Sequence, residues 1–186
     1  SDIGWIVGHS FIVYGPLSVG ATVFCREGVP DYPTPEVTWE LVERFGVNLM
    51  FTAPTALRMW MSHGEEAPKK YDLSRLRLLA CAGEPLNPEA HLWAQTHLVG
   101  QGGGMVVDNW WQTETGGPVL GTLPTFEARP SKVGKPLPGA VVDVVDRDGN
   151  LANNRIDCFR ADHFALEGKA TGQATGDDNR MRKAVG

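Results

Sequence analysis

The chain has 186 residues, of which 42% are hydrophobic and 21% are charged, so it can fill one sizeable core. A formal net charge of −5, with no cluster of Lys and Arg, argues against binding to nucleic acid or to a membrane surface. The 3 cysteines are widely spaced without a Cys-x-x-Cys pair, which argues against a disulfide framework or a zinc site and favours a reducing, cytoplasmic setting.

The first part of the chain alternates between helical and strand-like segments. Residues 8–20 predict a buried helix, and residues 21–25 predict a strand. A second helix is expected to begin after Thr34, its capping residue, and to run to about Phe45. A buried strand is then expected over residues 47–53.

A third helix is expected to begin at Pro54, because proline favours the first helical position. In this helix Leu57, Trp60 and Met61 share one face at helical spacing, so that face is expected to be buried.

Two more strands follow, over residues 76–83 and 104–111, with a helix between them that Asn87 is expected to cap. Residues 140–150 alternate and end in Asp-Gly, as a strand entering a hairpin turn does. Strands that alternate with helices predict an α/β fold.

The character of the chain changes at Leu151. No sustained hydrophobic period follows, and residues 168–186 hold few large apolar side chains. The expected organisation is one domain over residues 1–150 and a poorly ordered tail over residues 151–186.

Two loops at strand exits carry the chemistry, because open α/β sheets bind ligands beyond the carboxyl ends of their strands. In residues 82–90, Gly83 lets a planar ligand approach the backbone and Glu84 supplies a carboxylate. In residues 108–117, a pair of tryptophans stands beside small polar residues and Glu114, a hard oxygen ligand suited to Mg²⁺.

Each feature also has a structural explanation. A tryptophan pair at a strand end often fills a core, and Thr and Glu after a strand often cap a helix. On residue pattern alone, the two loops indicate a nucleotide or carboxylate pocket and no more.

Five segments, in this order, resemble the acyl-adenylate-forming ligases, and among them the AMP-forming acetyl-CoA synthetases: DIGWIVGHSFIVYGPLSVGAT, FTAPTALRMW, AGEPLNPEA, DNWWQTETGG and KVGKPLPG. The resemblance covers about residues 1–150. It implies part of the large N-terminal layered domain of that family, with mixed sheets flanked by helices.

The resemblance implies a two-step reaction. Acetate attacks the α-phosphate of Mg²⁺-bound ATP to give acetyl-AMP and pyrophosphate, and the thiol of CoA then displaces AMP. The family's phosphate loop, ribose-binding Asp and C-terminal domain with the catalytic Lys are not matched, and the resemblance ends after Asn150. The chain is therefore expected to be a fragment that is inactive alone.

The resemblance also assigns site residues. The nucleotide-binding residues are Gly83, Glu84, Pro85, Asp108, Asn109, Trp110, Gln112 and Thr113, and Glu114 is the Mg²⁺ ligand. The acyl pocket is formed by Ile6, Val7, Ala82 and Trp111. The Trp111 indole fills the volume that longer acyl chains would need.

Two alternatives stay open. Val7 and Ala82 stand where the family often has Thr and Val, which leaves a propionate–CoA ligase open. A non-catalytic fragment that binds AMP is the second alternative.

Overall fold

A computed structural model of the chain describes residues 3–143 and 159–160. The helices are α1 (Gly15–Ser18), α2 (Val37–Phe45), α3 (Pro54–Ser62), α4 (Glu66–Lys69) and α5 (Pro88–Ala94). The strands are β1 (Leu49–Thr52), β2 (Leu78–Cys81), β3 (Met105–Trp110), β4 (Leu120–Gly121), β5 (Lys132–Pro136) and β6 (Phe159–Arg160). π-Helical segments at Gly8–Tyr14 and Gln95–Val99 adjoin α1 and α5, and 3₁₀ turns lie at Gly100–Gly102 and Thr113–Thr115.

The strands form one mixed sheet in the order β1-β2-β3-β4-β5-β6. The β1–β2 and β2–β3 pairs are parallel, and the pairs from β3 to β6 are antiparallel. Strand β3 joins the two kinds of pairing: Asp108 lies opposite Cys81 of β2, whereas Asn109 lies opposite Gly121 of β4. The predicted α/β class with a mixed sheet is confirmed.

The main core lies between the helices and the parallel strands. Its buried members come from α2, α3, α5, the first three strands and their loops; the largest are Trp39, Leu57, Trp60, Leu73, Leu76, Leu79, Leu86 and Leu98. The rings of Trp39 and Trp60 lie 5.0 Å apart and join α2 to α3. Full burial of each large apolar side chain contributes about 1.5–3 kcal/mol, so this cluster anchors the carboxyl ends of β1, β2 and β3.

The predicted helix boundaries are largely confirmed. Helix α3 begins at Pro54, α5 begins at Pro88, and α2 ends before Gly46, which adopts the left-handed conformation. Helix α2 starts later than predicted, at Val37. The side chain of Asn87 does not cap α5; its amide donates to the Glu89 carboxylate at 2.8 Å instead, so this part of the prediction was wrong.

Four predictions of burial or strand structure were wrong. Residues 8–20 form a helix but expose Tyr14 and Leu17, and residues 21–25 belong to no strand among the described residues. Strand β1 is half-buried, with Leu49 exposed, because it lies at the edge of the described sheet. Met61 is 37% exposed because it lies in the last turn of α3. Hydrophobic periodicity identifies an apolar face, but it does not supply the neighbour that covers it.

The C-terminal predictions lie mostly outside the described residues. Residues 140–143 form no strand, and residues 144–150 of the expected hairpin lie outside the described ranges. The tail predicted over 151–186 also lies outside them, apart from strand β6. Within residues 3–143 and 159–160, no helix has the length and hydrophobicity that crossing a bilayer requires.

Ser131 adopts a left-handed backbone conformation, with φ of 61°, which makes it exceptional among the described non-glycine residues. We expect Ser131→Gly to raise the free energy of unfolding by about 1 kcal/mol, because glycine removes the left-handed strain at a smaller cost in chain entropy. Urea denaturation measures the gain. Ser74→Gly, which relieves no such strain, is the control and is expected to lower stability; an unchanged or lower midpoint for Ser131→Gly would contradict the prediction.

Candidate functional site

The carboxyl ends of the three parallel strands meet at one edge of the sheet, where two polar loops and the first turn of α3 come together. We call residues 82–87, after β2, the Glu84 loop, and residues 111–117, after β3, the Gln112 loop. Helix α3 begins directly after β1 at the same edge. In an open α/β sheet this edge is the usual ligand-binding position.

The Glu84 side chain is bound to α3. Its Oε1 accepts a hydrogen bond from the backbone N–H of Thr55 at 2.9 Å and another from the Thr55 hydroxyl. Its Oε2 accepts from Nη2 of Arg58 at 2.5 Å. Burial raises the pKa of the Glu84 carboxyl, but the hydrogen bonds from Thr55 and Arg58 outweigh burial and hold it below its usual value. Glu84 is therefore ionised and engaged at neutral pH.

Asp108, at the end of the parallel part of β3, is a buried carboxylic acid with one unpaired oxygen. Its side chain is 4% exposed, and Oδ1 accepts from the backbone N–H of Asn109 at 2.9 Å. Oδ2 has no hydrogen-bond partner. Burial raises the Asp108 pKa to about 7, although the backbone N–H groups of Asn109 and Leu86 favour the charged form. An unpaired, buried oxygen of this kind needs an N–H or O–H donor.

Asn109 ties the neighbouring strands together. Its amide donates to the carbonyl of Cys81 in β2 at 3.4 Å. Its Oδ1 lies over Gly121 of β4, where an added Cβ would come within 2.7 Å. The side chain therefore occupies the point where β3 changes from parallel to antiparallel pairing.

The two adjacent tryptophans have different partners. Trp110 packs against the small cluster of Leu120 and Val133 in the antiparallel part of the sheet. Trp111 packs with aromatic rings on the other side, at 4.5 Å from the ring of Phe11 and 5.7 Å from that of Phe51. Trp110 therefore contributes to a core, whereas Trp111 forms part of an aromatic wall at the site.

The sequence gave no role to Phe11 and Phe51, which the structure brings to Trp111. Their rings lie 5.0 Å apart and complete a three-ring cluster. The available signal was the position of Phe51 near the carboxyl end of β1, the same edge to which Trp111 belongs.

The residues predicted for the acyl pocket lie on three segments. Ile6 and Val7 are half-buried in the helical turn that leads to Phe11, and Ala82 is buried at the start of the Glu84 loop. The hydroxyl of Ser10 donates to the carbonyl of Gly116 at 3.2 Å, which ties this N-terminal segment to the Gln112 loop.

The Gln112 loop is closed by a reciprocal cap. The backbone N–H of Gln112 donates to the Thr115 hydroxyl at 3.1 Å, and the Gln112 side chain accepts from the backbone of Thr115. Thr113 and Glu114 lie between them and are exposed. The capping explanation therefore applies to Gln112 and Thr115, and it leaves the Glu114 carboxylate facing solvent.

A metal cluster built by the protein is not seen in residues 3–143 and 159–160, where no three His, Cys, Asp or Glu side chains converge. A groove of ≈ 460 Å³ lies away from both loops, between the segment before α2, the end of α3 and α4. The Glu36–Lys70 ion pair, at 2.6 Å, belongs to its wall. Because none of its lining residues comes from the sheet edge, we do not assign the groove to the site.

Comparison with known proteins places this sheet edge in a known context. A family model described as AMP-binding enzyme matches residues 1–155. The chain is 50% identical over 150 residues to an acetyl-coenzyme A synthetase of Methanothrix thermoacetophila, covering 81% of this chain and 23% of that protein. It is 47% identical over 155 residues to that of Streptomyces avermitilis, covering 83% and 24%.

A solved structure is also similar. The crystal structure of an acyl-CoA synthetase from Brucella canis superposes with a TM-score of 0.71 at 33% identity, covering 84% of this chain and 28% of that one. The chain spans about a quarter of the length of the curated relatives.

Proposed function

This chain belongs to the AMP-binding enzyme family, and on that premise we propose that it carries part of the acyl and nucleotide site of a cytoplasmic acetate–CoA ligase. The observation that carries the proposal is the 50% identity with an acetyl-coenzyme A synthetase over 150 residues, a length that must include both loops at the sheet edge. The proposed reaction uses acetate, ATP and CoA.

The proposed reaction has two displacements. A carboxylate oxygen of acetate attacks the α-phosphorus of ATP, and pyrophosphate leaves. The CoA thiol then attacks the carbonyl carbon of acetyl-AMP, and AMP leaves. Adenylation is needed because a free carboxylate is a poor electrophile, and stabilising the phosphate charge is the main task of the site.

The nucleotide would lie against the two loops. Support comes from the unpaired Oδ2 of Asp108, which suits an N–H donor such as the exocyclic amino group of adenine. The other proposed nucleotide contacts are Gly83, Glu84, Pro85, Asn109, Trp110, Gln112 and Thr113.

Glu114 would hold Mg²⁺ together with the phosphates of ATP. Its single exposed carboxylate fits such a role, since Mg²⁺ is usually bound through one or two carboxylates plus substrate phosphates. When bound, the ion would neutralise phosphate charge.

The acyl group would contact Ile6, Val7, Ala82 and Trp111. The packing of Trp111 against Phe11 and Phe51 supports a rigid wall, which excludes long acyl chains by steric overlap. A single methylene changes binding by only about 0.8 kcal/mol, so propionate remains the alternative substrate. Comparing acetate with propionate in the full-length enzyme distinguishes the two.

Calorimetry with AMP tests the nucleotide site of the 186-residue chain. We expect AMP to bind about 10-fold more tightly than IMP, because IMP presents an oxygen where AMP has the amino group and leaves Asp108 without a donor. Asp108→Asn is expected to reduce this preference.

A second assay separates binding from catalysis. We expect no acetate-dependent ATP–pyrophosphate exchange from this chain alone, since it spans about a quarter of its relatives. Exchange by the chain would overturn its expected inactivity, AMP binding without exchange fits the non-catalytic alternative for the isolated chain, and the absence of any heat with AMP would reject the nucleotide site.

A further inference from the structure

We propose that Thr55 and Arg58 are positioning residues, which hold the Glu84 carboxylate against the first turn of α3 and so fix the Glu84 loop beside β3. The proposal rests on the proposed nucleotide site. It adds that the Glu84 side chain supports the loop, so that the loop presents its backbone to the ligand.

The first turn of α3 needs an acceptor from elsewhere in the chain. Ala53 is the N-cap residue and makes no side-chain hydrogen bond, and Pro54 has no N–H. The N–H of Thr55 is therefore the first donor of the helix that needs a partner. Glu84, which is 29 residues away in sequence, supplies it at 2.9 Å. A carboxylate at a helix N-terminus is also favoured by the helix dipole.

Arg58 completes the arrangement one turn into α3. Its Nη2 donates to Oε2 of Glu84 at 2.5 Å and to the hydroxyl of Thr55 at 2.9 Å. An exposed ion pair alone contributes little, and these side chains are 42% and 33% exposed. Here the ion pair is one of four mutually connected hydrogen bonds among three residues, which restricts the carboxylate to one orientation.

The Glu84 loop is consequently held at two points. Glu84 is bound to α3, and Leu86 is buried in the main core. Between Ala82 and Glu84, Gly83 has φ of 101° and faces open space, with no atom within 4 Å of an added Cβ. The loop therefore has one face bound to the protein and one face free for a ligand.

Amide hydrogen exchange without nucleotide tests the positioning role directly in the 186-residue chain. We expect Arg58→Ala to accelerate exchange at residues 83 and 84 at least 10-fold, through local opening of the loop. Arg58→Lys keeps the positive charge and a donor, and is expected to restore most of the protection.

The matched control is Arg129→Ala, which removes an exposed Arg paired with Glu127 at 3.3 Å. It is expected to leave exchange in the Glu84 loop unchanged. Unchanged exchange in Arg58→Ala, or equal acceleration in the control, would overturn the proposal.

AMP affinity then distinguishes positioning from ligand contact. If Glu84 acts through the loop, Arg58→Ala and Glu84→Gln each weaken AMP binding about 10-fold, and the double variant is no weaker. A much larger loss in Glu84→Gln, adding to that of Arg58→Ala, means that Glu84 contacts the ligand and rejects the positioning role. If the unsubstituted chain does not bind AMP, the proposed function fails on this chain, whereas the exchange result still decides the role of Arg58.

Discussion

Asp108→Asn is expected to remove a pH-dependent loss of stability from this chain. The Asp108 pKa is raised by burial from 3.8 to about 7, so the folded chain keeps a proton that the unfolded chain has released over this range. The free energy of unfolding therefore falls as pH rises towards 7, by about 4 kcal/mol in all, of which about 3 kcal/mol falls between pH 5 and pH 8.

Urea denaturation at several pH values measures this effect as the difference between the variant and the unsubstituted chain. The difference is expected to grow in favour of Asp108→Asn from pH 5 to pH 8. Carboxyl groups with lowered pKa values, such as that of Glu36, make stability rise with pH, but they are common to both proteins and cancel. Asp143→Asn, at an exposed position, is the control. A difference that is constant with pH would contradict the prediction.

Gly134→Ala is expected to separate β5 from β4. A Cβ at Gly134 would overlap the carbonyl oxygen of Gly121 and lie 2.6 Å from the backbone nitrogen of Thr122, and φ is 113°. Backbone atoms of a paired strand cannot rotate away as a side chain can. The loss of unfolding free energy is therefore expected to exceed about 4 kcal/mol.

Gly139→Ala provides the matched control for the backbone angle. Gly139 also has a positive φ, of 90°, but no atom lies within 4 Å of its added Cβ. It should lose only about 1–2 kcal/mol, from strain alone. Denaturation midpoints and exchange at β4 compare the two variants, and similar losses would show that the approach of Gly121 is unimportant.

Local chemistry was sufficient to predict most helices. Proline at the first helical position located the starts of α3 and α5, and glycine located the end of α2, because these residues act on the backbone within one turn. The strand predicted over residues 21–25 failed because its apolar alternation needs a neighbouring strand, which the described part of the chain does not place beside it.

The candidate site shows the same division. The two loops could be located from the sequence because polar residues and glycines follow two strands, and five motifs gave the resemblance to acyl-adenylate-forming ligases. The assigned roles of the individual residues remain proposals. The partners of Glu84 were not predictable, since Thr55 and Arg58 lie 29 and 26 residues away and belong to a helix that follows another strand.

By itself, the sequence determined the α/β class, the family and the position of the candidate site along the chain, because periodicity, turn residues and motifs are local properties. Only the tertiary structure decided that Trp110 enters a core while Trp111 joins Phe11 and Phe51, and that Asp108 is buried with a free oxygen. Burial and pairing depend on which distant segments pack against a residue, and a one-dimensional pattern does not contain that information.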